Sequence, residues 1–100
     1  MVNVGLIVLL TAKPGKAEEL ATFLASAEPL AEAEPGTTAW FAVKVDDLTY
    51  GIVDFFPDHA ARQAHLEGPI AAALMEHAGE LLSQPPDIRP VDVLAAKLPV

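Results

Sequence analysis

A chain of 100 residues that is 52% hydrophobic is long enough to bury one core, and its formal net charge of −8 leaves no basic stripe for phosphates. Nucleic acid and anionic membrane surfaces are therefore excluded as expected partners, and small neutral or weakly acidic ligands remain. With no cysteine there is no disulfide framework, thiolate nucleophile or thiolate metal site, a composition that suits the cytoplasm.

The opening run VNVGLIVLLTA has no basic flank before it and no small-residue cleavage site after it, and it is too short to span a bilayer. It reads as a strand from Val2 to Ala12, with Val4, Leu6, Val8 and Leu10 on one side and Ile7 and Leu9 on the other. Apolar residues on both alternations predict a strand buried on both faces. A turn at Pro14-Gly15 then leads into a helix that carries Glu18 and Glu19 in its first turn, where the helix dipole favours negative charge. Ala17, Leu20, Ala21, Leu24 and Ala27 supply its core face, and Pro29 predicts an end or kink at Glu28. AEPGT is a second break.

From Thr38 to Val45 a second strand runs through Trp40, Phe41 and Val43, and VDDLTYG turns it back into a third strand that reaches Phe56. Asp58 can cap a short helix to about Leu66; Gly68-Pro69 ends it and starts another, which Pro85-Pro86 stops before the last strand, DIRPVDVLAAKL. The order is βαββαβ with the second helical segment split in two. That order predicts an α+β, ferredoxin-like layout: a four-stranded antiparallel sheet with helices on one face. No repeat, low-complexity tract or linker divides the chain, so a single domain over residues 1–100 is expected. Val91, Val93 and Ala95 alternate with Leu94, Ala96 and Leu98, so the uncovered sheet face is apolar as well. A homodimer closed through the two sheet faces is the simplest cover.

The stretch DFFPDHAARQAHLEGP, preceded by a strand running into AKPGKAEEL and followed by VDVLAAKL, resembles the antibiotic biosynthesis monooxygenase family of dimeric α/β barrels over nearly the whole chain. Its most specific part is Asp54 in the third strand followed by Ala61, His65 and Pro69. The resemblance implies oxidation of a small aromatic quinol or anthrone-type phenol by dioxygen with no cofactor and no metal. The substrate anion passes an electron to oxygen, and the protein supplies a dry pocket, a base and a hydrogen bond to the oxyanion. Consistently, no Gly-rich dinucleotide or phosphate motif occurs.

Each candidate residue has a plainer reading beside the functional one. His65 shares a helix face with the small residues Ala61, Ala64 and Gly68, which leave room beside its ring. It is either a core histidine bonded to a backbone carbonyl or, as the resemblance implies, the catalytic base. His77 falls in the stripe Ile70, Leu74, His77, Leu81, whose spacing favours packing over substrate binding. Asp54 interrupts an apolar strand, as a hydrogen-bonded structural acid or as the partner that orients His65. Trp40 and Tyr50 are core or dimer aromatics, or line a pocket for a flat ring. Asn3 either donates to a substrate oxygen or stands near a frayed terminus, and Arg62 is expected in a surface ion pair rather than beside an oxyanion. His65 and His77, twelve apart across a Gly-Pro break, lack the spacing of a metal helix. Two rival functions are a haem-degrading family member and a non-catalytic small-molecule-binding barrel.

Overall fold

The computed structural model describes residues 1–99. Its elements are β1 (Val4–Thr11), α1 (Ala17–Ser26), α2 (Glu28–Glu32), β2 (Ala39–Lys44), β3 (Thr49–Phe56), α3 (His59–Leu66), α4 (Pro69–Leu81) and β4 (Asp87–Asp92). They form one antiparallel sheet in the order β2-β3-β1-β4, the ferredoxin-like arrangement expected, with the second helical segment split at Gly68. The first crossover is broken too. Pro29 cannot donate an amide within a continuing helix, and the chain restarts as α2 with Pro29 in its first turn. Asp58 caps α3, its Oδ1 accepting from the Ala61 amide at 2.8 Å.

Register decides which side chains share a face. Val4, Leu6, Val8 and Leu10 of β1 pair with Phe56, Asp54, Ile52 and Tyr50 of β3. All eight are buried, and the apolar ones pack with Leu20 and Leu24 of α1 and Leu74 and Leu81 of α4. The other face of β1 differs from its expected burial. Ile7 is 36% exposed, and across the sheet Phe41 is 54% and Val43 39% exposed, because no element of this chain covers that side. The last strand is also shorter than the sequence suggests. Its partner β1 begins at Val4, opposite Asp92; past that point Val93 donates to the Asn3 carbonyl, and residues 94–99 continue as an arm outside the sheet.

Gly5 is required at a close approach. A Cβ there would lie 2.6 Å from the Asp54 carbonyl oxygen and 2.6 Å from Phe55 Cδ1, contacts that neither a central strand nor a packed ring can relieve locally. Gly5→Ala is expected to lower stability by about 1–3 kcal/mol, read from urea denaturation. An unchanged midpoint would show that the β1–β3 spacing is looser than this.

Candidate functional site

Asp54 interrupts the apolar face of β3 at a point where the sheet delivers it to the helix layer, with Leu6 and Trp40 as its cross-strand neighbours. Above it, α3 presents His65. A third group joins them that sequence reasoning missed: Glu34, in the connection between α2 and β2. His65 Nδ1 lies 2.6 Å from Glu34 Oε1, and His65 Nε2 lies 2.9 Å from Asp54 Oδ2. Asp54 is fully buried and His65 nearly so, while the Glu34 side chain is 16% exposed and also accepts from Thr37 Oγ1 at 2.7 Å. The two carboxylates differ in geometry. Glu34 makes a hydrogen bond, whereas the short Asp54 contact is angled off the ring N–H, so that neither Asp54 oxygen has a well-directed donor.

This arrangement sets the charge on the ring. Burial alone pushes the His65 pKa down, but the contacts and charges of Asp54 and Glu34 outweigh it, and the net direction is up from the usual 6.5. Two carboxylates around one imidazole favour an imidazolium, which carries an N–H on both nitrogens. Because the folded pKa is raised, the stabilisation from His65 is fully present below about pH 6.5 and is lost as pH rises through the folded value. Urea denaturation is therefore expected to give lower stability on the alkaline side of the His65 transition than near pH 6. Equal stability on both sides would show that the ring is neutral throughout.

The space predicted beside His65 is closed. Glu34 fills it, with Oε2 only 3.2 Å from where a Cβ on Gly68 would lie, and Gly36 brings the same connection against Ala61. In this arrangement neither ring nitrogen is free to accept a proton from a ligand.

The other expected site residues are not gathered at His65. Trp40 is half-buried, packing against Ala27, Ala31 and Ile70, and its Nε1 is buried without a hydrogen-bond partner. Trp40 and Tyr50 do come together, in an open cleft of about 540 Å³ that runs along α1 and around the outer edge of β2, with Ala21, Leu24, Phe41 and Lys44 among its walls. His77 lies elsewhere. Its ring stands 4.9 Å from Phe23, in a separate cleft between α1 and α4 with Glu18, Glu19 and Thr22. Asn3 is exposed and its Nδ2 donates to the Pro57 carbonyl at 2.9 Å. Arg62 corrects the expectation of a surface ion pair: Nη1 donates to the Gly5 and Val91 carbonyls at 3.2 and 3.3 Å, and Nη2 lies 3.0 Å from His59 Nδ1. It pins α3 to the sheet by carbonyls at the strand ends.

Glu34, His65 and Asp54 do not make a metal site, since the acids stand on opposite sides of one ring and their oxygens diverge; among the described residues no other such group gathers either. No helix among the described residues is long and apolar enough to cross a membrane.

A four-stranded sheet in this order, with both helical crossovers broken and packed on one face, is the fold of the antibiotic biosynthesis monooxygenase-like dimeric α/β barrels. It is shared with a candidate antibiotic biosynthesis monooxygenase from Nitrosomonas europaea (TM-score 0.82, 15% identity, covering 92% of this chain and 90% of that one). A second such candidate, from Caulobacter crescentus, gives a TM-score of 0.80 at 18% identity, covering 94% and 92% of the two chains. With a protein of unknown function from Nitrosomonas europaea the similarity is far closer: 60% identity and a TM-score of 0.98 over 100% of this chain and 97% of that one, and the chain belongs to the same family. No family model matches the sequence, and no curated protein does.

Proposed function

We propose that this protein is a cofactor-independent monooxygenase that oxidises a small aromatic quinol or anthrone-type phenol with dioxygen. The observation that carries this reading is the cleft at Trp40, Phe41 and Tyr50, whose size and mostly apolar, aromatic walls suit a flat ring. Lys44 and Glu28 also line it, and in this reading Lys44 is the cation that would stabilise a phenolate. The phenol loses its proton, and its anion passes one electron to dioxygen. The two radicals combine at a ring carbon bearing hydrogen, and the hydroperoxide formed loses water to leave a carbonyl. One oxygen atom enters the product and the other leaves as water. In this reading His65 is the base, beside Asp54; it does not line the cleft, so it acts only in a state where Glu34 has left Nδ1 and the connection has opened a path to the phenol. A second copy seated on the exposed sheet face at Phe41 and Val43 would wall the open side of the cleft, so the homodimer expected from the apolar strands belongs to the proposal. So does a cytoplasmic location.

A second reading, a non-catalytic binding barrel, is favoured by one observation: both nitrogens of His65 are already held. Oxygen uptake by metal-free protein against a panel of quinols and anthrones separates the two. Uptake with matching loss of substrate is expected. Binding without uptake would leave the barrel as a carrier, and a stoichiometric haem-induced Soret shift without quinol turnover would replace both readings with haem chemistry.

A further inference from the structure

We infer that Glu34, His65 and Asp54 form a proton-gated latch, in which loss of one proton from the imidazole releases Glu34 and the short connection that carries it while Asp54 stays bound. A doubly protonated ring presents an N–H to each carboxylate, directed at Glu34 and angled at Asp54. A neutral ring has one N–H and one lone pair, so one carboxylate must then face the lone pair and is repelled. Burial decides which one. The Asp54 side chain is 1% exposed and has no other donor, whereas Glu34 is 16% exposed, keeps the Thr37 hydroxyl and can reach water. Stranding Asp54 is the costlier outcome, so the remaining proton stays on Nε2 and Nδ1 loses its partner.

The elements packed around the ring contribute no competing charge. β3 supplies Asp54 and the neutral ring of Phe56, whose centroid is 5.2 Å away; the α2–β2 connection supplies Glu34. On α3 itself, Arg62 is occupied by two strand carbonyls and His59. The moving part is short. Thr38 donates to the Phe55 carbonyl at 3.0 Å and ties the connection to β3, while Ala33 donates back to the Pro29 carbonyl at 3.2 Å, so release is confined to the residues between them. Thr37 and Thr38 line a small cleft beside Trp40, separate from the larger Trp40–Tyr50 cleft, so the latch couples the ring's proton to the wall of that small cleft. On the oxygenase reading, the same release uncovers His65 Nδ1 as a base, but the latch is tested without turnover.

The test is a pH titration of the full chain by side-chain ¹⁵N NMR, combined with amide hydrogen exchange. Below the His65 transition both ring nitrogens are expected to be protonated. Above it Nε2 keeps its proton, and the protection factors of the Glu34 and Thr37 amides fall roughly tenfold while that of Thr38 is unchanged. In Glu34→Gln the His65 midpoint should drop by roughly one pH unit or more. A neutral form protonated on Nδ1, protection at 34 and 37 that ignores the transition, or an unmoved midpoint in Glu34→Gln would each overturn the latch.

Discussion

Replacing His65 by alanine is expected to lower folding stability by about 3–5 kcal/mol near neutral pH, a large part of the roughly 5–15 kcal/mol that holds a domain of this kind together. The substitution removes the imidazole that stands between two acids and leaves Asp54, fully buried, without its one short polar contact. The contacts of the ring with Phe56 go as well, and the space it occupied adds a cavity term. The alanine-rich face of α3 suggests a milder result, a rate loss of roughly 10²-fold in an otherwise intact protein. The clamp changes that expectation, because base and keystone are the same side chain. Urea denaturation measures it. A loss below about 1 kcal/mol would show that the acids are not held by an imidazolium.

The second large effect is expected at the exposed sheet face. In a two-fold dimer closed through that face, Phe41→Asp removes two phenyl rings from the interface, one per copy, each contributing about 1.5–3 kcal/mol of apolar burial. It also places two carboxylates there. A loss of about 3–6 kcal/mol weakens association by roughly 10²–10⁴-fold. Phe41 is 54% exposed in the single chain, so folding of each subunit should survive. Light scattering should therefore find a dimer for the natural sequence and a folded monomer for Phe41→Asp at micromolar concentration. A natural-sequence monomer would remove the dimer from the proposal, and a Phe41→Asp dimer would move the interface to another surface.

The fold was legible because its signals are local. Asp58 marks a cap, Gly68-Pro69 a helix start and Pro29 a break, and each acts within a few residues of its own position. The hairpin turn is of the same kind, since Asp46 Oδ1 accepts from the Leu48 and Thr49 amides. Asp54 and His65 stood out because each interrupts an apolar pattern. Glu34 did not, since it sits in a polar Pro-Gly stretch where an acid is ordinary, and it reaches His65 across 31 positions from a connection that packs closely on Ala61 at Gly36. The usable signal was the juxtaposition of Glu34, Thr37 and an acidic chain with a histidine that needed partners. Arg62 was misread for a related reason: carbonyls at strand ends leave no trace in a sequence. The extent of β4 failed because strand length depends on the partner, and β1 starts too late to pair beyond Asp92.

Metal-free protein incubated with an anthrone-type phenol under ¹⁸O₂ tests the oxygenase reading most directly. The expected product is a quinone carrying one labelled oxygen, formed with one dioxygen consumed per substrate and with labelled water as the other product, at a rate cut sharply in Trp40→Ala. Unlabelled product, or no product from folded protein that binds the phenol in the Trp40 cleft, would contradict it.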